Sequence, residues 1–369
     1  MVKVGINGFG RIGRLAFRIG LAKHAGELEF AAINTSGSMS VAGWAYLVNY
    51  DSMYRKFEIP IDVEEVNKPS DVTDEDPLLG YFKSSGKGFK IPILAQRVPE
   101  KIPWGKYKVD VVIESTGRFV TEADAKRHAE AGAKRVIISA PSKGGNVGTY
   151  VLGVNEYKGT AQVLSNASCT TNCTAPVAAV MHAVFGVKKA AMTTIHGYTN
   201  EQRLQDNSHK DLRRGRAAAI NIIPTTTGAA TATTETIPEL EGLFDGRALR
   251  VPVATGSITD FVFVLNKKVT VEEVNNAFKE AAENPLYKGI LAVTTEPLVS
   301  SDIIYRSESA IVDLPLTQVI DGDLVKVYAW YDNEWGYANR LVEQVVRVGR
   351  TLETNSAPSD PISLSFRKQ

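Results

Sequence analysis

At 369 residues the chain is too long for one compact core and suits two domains. Apolar content of 44% and charged content of 22% are those of an ordinary globular enzyme, and a net charge of +1 gives no reason to expect nucleic acid or an anionic membrane as a partner. Two cysteines four residues apart, Cys169 and Cys173, cannot staple distant parts of the chain; with no leader ahead of Lys3 and no apolar run near the roughly 18 residues of a membrane span, they predict a cytoplasmic protein with a catalytic thiol.

In chain order, residues 3–7 form a predicted strand, Gly8-Phe9-Gly10-Arg11-Ile12-Gly13 follows, and residues 14–21 continue with helical periodicity. A G-x-G-x-x-G between strand and helix is the dinucleotide fingerprint in its required context. Gly8 makes the tight turn, Gly10 lets the backbone approach a pyrophosphate, Gly13 lets helix and strand pack, and Asn7, Arg11 and Ile12 flank the ligand. The second strand, 28–33, ends in Asn34-Thr35-Ser36-Gly37, with no Asp or Glu for a ribose 2′-hydroxyl. Thr35 and Ser36 can instead donate to a 2′-phosphate, so the expected cofactor is NADP, beside or in preference to NAD.

Residues 63–89, with Asp71, Asp74, Glu75 and Asp76, read as a solvated surface insertion without chemistry. Apolar strands at 109–115 and 135–139, with a helix at 122–133 between them, predict a parallel sheet covered on both faces. Ligands lie at the carboxyl ends of such strands, which brings Ser115, Thr116, Gly117 and Ser139 toward the cofactor. The first part of the chain is therefore α/β of the Rossmann type.

The segment Ser165-Asn166-Ala167-Ser168-Cys169-Thr170-Thr171-Asn172-Cys173 leads into a helical run at 175–184. It reads as a turn that delivers Cys169 to a helix start, where the helix dipole and free amides favour the thiolate. A strand at 189–195 ends at His196, which can complete a thiolate–imidazolium pair, whereas His24, His128 and His182 read as structural. This nonapeptide closely resembles the active-site segment of the phosphorylating glyceraldehyde-3-phosphate dehydrogenases, and the resemblance runs from Val2 to about Arg350.

The resemblance implies a glycolytic oxidoreductase that converts D-glyceraldehyde 3-phosphate and inorganic phosphate to 1,3-bisphosphoglycerate through a thioester on Cys169, with His196 as the base. It implies Thr199 and Arg250, with Glu201 and Arg214 close by, around the substrate's own phosphate. Ser168, Thr170, Thr227 and Gly228 would hold the attacking phosphate, although read alone the hydroxyl-rich turn Pro224-Thr225-Thr226-Thr227-Gly228 is more often only a helix cap. The irregular Arg-rich segment 198–221 resembles a loop that reaches a neighbouring subunit in a homotetramer, and its Ser208 stands where NAD-preferring relatives often carry proline. Along the dinucleotide the family places Ser115 and Gly117, Asn333 at the nicotinamide carboxamide, and Tyr337 nearby.

The expected domains are a dinucleotide-binding domain at 1–168 completed by a helix at 334–353, an α+β catalytic domain with a mixed or antiparallel sheet at 169–333, and a loose polar tail at 354–369. No His, Cys or carboxylate set has metal-ligand spacing. An erythrose-4-phosphate dehydrogenase and a non-catalytic dinucleotide-binding protein are the alternatives. The intact phosphate turn argues against the first, and Cys169, His196 and Arg250 against the second.

Overall fold

A computed structural model describes residues 1–354; apart from Thr354, the expected tail lies outside the described residues. The chain divides into two compact units. Among the described residues, one comprises Met1–Thr149, Tyr157–Asn166 and Leu341 to Thr354; the other comprises Tyr150–Glu156 and Ala167–Arg340. These limits depart from the expected ones. Tyr150–Glu156 goes with the second unit because Val151 and Val154 are buried in that unit's core.

The first unit runs β1 (Val2–Asn7), α1 (Arg11–Lys23), β2 (Leu28–Asn34), α2 (Val41–Asn49), a hairpin of β3 (Tyr50–Asp51) and β4 (Arg55–Lys56), then β5 (Asp62–Glu65), β6 (Leu78–Ser84) and β7 (Phe89–Leu94). It continues with β8 (Val111–Glu114), α3 (Glu122–Glu130), β9 (Arg135–Ile138), β10 (Gly148–Thr149) and β11 (Val163–Ser165). Its main sheet has the order β10-β11-β9-β8-β1-β2-β7-β6-β5, parallel from β10 to β7 and antiparallel beyond. All four residues of β8 are buried, which explains the apolar run Val111 to Ile113: helices cover both faces of such a sheet. The glycine triad acts through contact. A Cβ on Gly13 would lie 2.2 Å from Gly8 O, and Gly8 has φ +95° with the backbone of Thr116 2.6 Å from where its Cβ would stand.

The stretch at 63–89 is not the solvated insertion its polarity suggests. It supplies β5, β6 and the start of β7, and Leu79, Phe82, Ile91 and Ile93 are buried. Phe82 packs its ring against Phe9 and Phe17, at 5.9 Å from each. The acidic residues gather in the β5–β6 connection, so their charge hides the alternation of the strands on either side.

The second unit runs α4 (Cys169–Phe185), β12 (Val187–Gly197), β13 (Ile223–Thr225), α5 (Ala229–Thr236), β14 (Phe244–Val251), β15 (Ser257–Leu265) and α6 (Val271–Glu283). Then follow β16 (Leu291–Thr294), β17 (Ala310–Asp313), β18 (Gln318–Ile320), β19 (Leu324–Tyr331) and α7 (Trp335–Thr354), whose residues from Leu341 on belong to the first unit. Its sheet, β13-β14-β12-β15-β19-β17-β16 with β18 on β19, is mixed: β12 is parallel to β14 and antiparallel to β15. Helix α6 starts in a capping box of Thr270 and Glu273 and buries Val274, Ala277, Phe278 and Ala281, the i, i+3, i+4, i+7 stripe of an amphipathic helix. Helix α4 is different. Every residue from Thr170 to Met181 is buried, so it forms the centre of this unit's core, and each fully buried Val or Met adds about 1.5–3 kcal/mol. Its first residue, Cys169, is consequently anchored by a helix buried in the core. Among the described residues no helix is long and apolar enough to cross a membrane.

Candidate active site

Cys169 is the first residue of α4, and Ser168 is its cap: Ser168 Oγ accepts from Thr171 N at 3.0 Å. The chain reaches that position through Ala167, a non-glycine residue at φ +56°, and Tyr337 donates its hydroxyl to Ala167 O at 3.1 Å. A left-handed alanine costs roughly 1–2 kcal/mol, which the buried surroundings must offset. The thiol is partly exposed, while Cys173, one helical turn on, is buried with its sulfur 3.9 Å from Ala329 O.

His196 lies near the end of β12 with Nε2 3.3 Å from Cys169 Sγ. Parallel pairing sets His196 opposite Arg250 on β14, so sheet register, not sequence proximity, places the guanidinium here. Arg250 Nη1 donates to Gly197 O at 3.1 Å and lies against His196 Nδ1. His196 Nδ1–H donates to the same carbonyl at 2.6 Å, which leaves the Nε2 lone pair facing the sulfur. Tyr331 closes the site from below. Its hydroxyl shares hydrogen bonds with Thr170 Oγ1 (3.0 Å) and Thr194 Oγ1 (2.8 Å), and its ring stands edge-on to His196 at 6.0 Å.

Burial pushes the Cys169 thiol up, against the opposing pull of Arg250 and of the Thr170 hydroxyl and amide. Burial, and then Arg250, push the His196 imidazole down to about 3. Burial thus opposes the thiolate that the helix start favours, and it leaves the imidazole facing the sulfur unprotonated at neutral pH. Arg250 is the cation that most favours the thiolate. Replacing it by glutamine is expected to slow iodoacetamide alkylation of Cys169 at pH 7 about ten-fold, the equivalent of one pKa unit, and to raise the His196 titration seen by NMR. Unchanged alkylation would show that its charge does not reach the sulfur.

A fold of this kind, with a nucleophile–base pair of this geometry, can be set beside known proteins. The family described as "Glyceraldehyde 3-phosphate dehydrogenase, NAD binding domain" matches residues 2–122, and "Glyceraldehyde 3-phosphate dehydrogenase, C-terminal domain" matches residues 168–333. The chain belongs to the glyceraldehyde-3-phosphate dehydrogenase family. It is 49% identical over 354 residues to glyceraldehyde-3-phosphate dehydrogenase 2 of Streptomyces avermitilis and to glyceraldehyde-3-phosphate dehydrogenase of Streptomyces coelicolor, covering 95% of this chain and 99% of each relative. It is also 49% identical to the Geobacillus stearothermophilus glyceraldehyde-3-phosphate dehydrogenase over 345 residues, 93% of this chain and 96% of that one.

Around the pair, this dehydrogenase chain gathers several of the expected phosphate residues. Arg214 pairs with Glu201 at 2.5 Å and Asp211 at 3.3 Å and donates to Thr226 O at 3.3 Å, which ties the irregular segment to the hydroxyl-rich turn. Thr199 begins a turn in which its amide donates to Gln202 Oε1, and Thr227 Oγ1 accepts from Ala229 N beside Gly228, the cap of α5. Ser168 Oγ accepts in the cap of α4 and Thr170 Oγ1 shares a hydrogen bond with the Tyr331 hydroxyl, partners that the sequence pattern could not reveal. Ser208 sits exposed in the irregular segment, with its carbonyl accepting from Arg203 Nε.

In the first unit the helix α1 begins at Gly10 with no side-chain cap, and nothing lies within 4 Å of where a Gly10 Cβ would be. Open space over uncapped amides fits a pyrophosphate. Arg11 holds Asp51 through two hydrogen bonds, and Ile12 is half-buried beside Gly13. Ser115 donates to Gly8 O at 2.7 Å, Gly117 has φ +70° with open space around it, and Ser139 N donates to Glu114 O.

The expected hydroxyl contact from Thr35 is corrected: Thr35 is buried, and its Oγ1 donates to Leu94 O at 3.0 Å, so that proton is spent inside. The side chains of Asn7, Asn34 and Thr116 also turn inward, onto one another and onto Glu114. Ser36 alone of this group is exposed, beside Ser38 Oγ at 2.9 Å, and Arg97 Nη2 donates to its carbonyl.

In the second unit Asn333 Oδ1 accepts from Gly256 N, Ser257 Oγ and Thr255 Oγ1, which fixes the amide with Nδ2 as the remaining donor. Tyr337, expected along the cofactor, donates its hydroxyl to Ala167 O. Sequence reading missed Arg97 and Tyr331. For Tyr331 a signal existed: it ends the inward face Val325, Val327, Ala329, Tyr331 of β19 with a polar group.

Proposed function

We propose that the chain catalyses the reversible, phosphorylating oxidation of D-glyceraldehyde 3-phosphate to 1,3-bisphosphoglycerate with NAD(P). The observation that carries this reading is the 3.3 Å approach of Cys169 Sγ to the unprotonated Nε2 of His196, with Arg250 behind the ring. As sulfur adds to the aldehyde carbon, its proton passes to Nε2 and on to the developing alkoxide, giving a thiohemiacetal. The imidazolium that forms briefly is acidic because it is buried and because Arg250 stands beside it, so it returns the proton readily. A substrate phosphate held by Arg250, Thr199 and Arg214 offsets that positive charge and makes His196 a better base once substrate is bound. Nε2 then takes the hydroxyl proton as the carbon is oxidised to a thioester. Attack by inorganic phosphate at the thioester carbon expels sulfur, which recovers its proton from Nε2.

The first unit's turns at Gly8, Gly10, Gly13, Ser115 and Gly117 are the residues that would hold NAD(P), which when bound supplies the hydride acceptor. The test is NAD(P)H formation from glyceraldehyde 3-phosphate that depends on added phosphate. Turnover of erythrose 4-phosphate that ignores phosphate would replace this reading with the rival dehydrogenase.

NADP is accepted through Ser36, Ser38 and Arg97, whose hydroxyls and guanidinium stand at the end of β2 where a ribose 2′-phosphate would bind and where the chain from Asn34 to Ser38 carries no Asp or Glu. Arg97→Ala is expected to lower kcat/KM with NADP about ten-fold, near 1.4 kcal/mol, and to leave the value with NAD within about two-fold. Equal losses with both cofactors would remove Arg97 from this role. The protein acts as a cytoplasmic homotetramer: Leu204, Leu212, Ile220 and Ile222 are each at least 68% exposed in the irregular segment, apolar area that a neighbouring copy would cover.

A further inference from the structure

At the carboxyl ends of three adjacent parallel strands, Glu114 of β8, Asn7 of β1 and Asn34 of β2 stand in register, so their side chains share one face of the sheet. Glu114 is almost wholly buried, a position at which a carboxylate costs several kcal/mol unless its oxygens are satisfied. Here they are. Oε1 accepts from the amide and the hydroxyl of Thr116, and Oε2 accepts from Asn7 Nδ2 at 2.5 Å and from His128 Nε2 at 2.9 Å. Trp104 Nε1, which can only donate, gives its proton to His128 Nδ1 at 3.1 Å, so the ring's proton is on Nε2 and is offered to Glu114.

The chain of bonds continues from Asn7 Oδ1 to Asn34 Nδ2, and Asn34 holds both the amide and the carbonyl of Gln96. Each member sits next to a turn of the dinucleotide site: Asn7 precedes Gly8, Asn34 precedes Thr35 and Ser36, and Thr116 lies between Ser115 and Gly117. An apolar side chain at position 114 would fill the core equally well, but it would not tie these turns together.

We propose that Glu114, seated on His128, is a positioning residue for the dinucleotide, locking the turns after β1, β2 and β8 into one mutual geometry. The inference rests on the reading of these turns as the NAD(P) site. In Glu114→Gln the amide NH2 must face either Thr116 or the donors of Asn7 and His128, and His128 cannot change tautomer while Trp104 occupies Nδ1. E114Q is expected to raise the Kd for NAD, measured by calorimetry, at least ten-fold. Amide exchange in the three turns should accelerate in the absence of dinucleotide, while iodoacetamide alkylation of Cys169 stays within two-fold of the parent rate.

If E114Q does not fold, the His128 pair decides. H128Q can still donate to Glu114 and should hold Kd within about three-fold, whereas H128L cannot and should weaken binding ten-fold or more. A folded E114Q or H128L with parental Kd and parental exchange in the turns overturns the proposal, as does equal loss in H128Q and H128L. A parent protein that binds no dinucleotide at all would instead remove the site assignment beneath it.

Discussion

Replacing Cys169 by serine is expected to reduce oxidation of glyceraldehyde 3-phosphate by about 10⁴-fold or more while leaving dinucleotide affinity unchanged. Serine suits the first position of α4 and disturbs neither the Ser168 cap nor the buried faces of the helix, so the loss belongs to chemistry and not to folding. The oxygen fails for two reasons. Its proton is far harder to remove than a thiol's, and the ester it would form releases its acyl group to phosphate less readily than a thioester. Single-turnover measurement with saturating dinucleotide reads the effect directly. A variant that retained turnover within ten-fold would show that Cys169 is not the nucleophile.

The second large effect is expected at His196. His196→Asn keeps a hydrogen-bonding side chain beside Gly197 and Arg250 but removes the proton acceptor that faces sulfur, and kcat should fall by about 10²–10⁴-fold at pH 7. The pH dependence gives the sign. Because burial raises the thiol, the variant must lose its proton to solvent, and thiolate then grows about ten-fold per pH unit below the thiol's own pKa. The activity of H196N should therefore climb steadily from pH 7 to 9. The parent, whose imidazole is pushed down to about 3 and is already unprotonated at neutral pH, should change less. The ratio between the two should narrow as pH rises. A ratio that is constant with pH would mean that His196 orients substrate without moving the proton.

Much of this site could be read along the chain because its parts are local. The glycine triad, the cap-and-helix presentation of Cys169 and the amphipathic stripe of α6 each follow from residues within one or two turns of each other, where backbone geometry alone dictates spacing. The strands at 62–65 and 78–84 were hidden by the acidic residues between them, since a buried face alternating over so few residues is easily masked by charge.

Which hydroxyls are free could not be read. Thr35, Thr170 and Ser36 are equally plausible ligand donors in sequence, yet Leu94 O and Tyr331 claim the first two and only Ser36 faces outward. By itself the sequence determined the family and most of the elements, and it pointed to the proposed nucleophile, its base and the dinucleotide turns. Tertiary structure alone decided the company those groups keep. Arg250 reaches His196 through strand register across 54 residues, and Glu114 reaches Asn7 across 107, distances at which no local periodicity carries information and only the pairing of β-strands brings the atoms together.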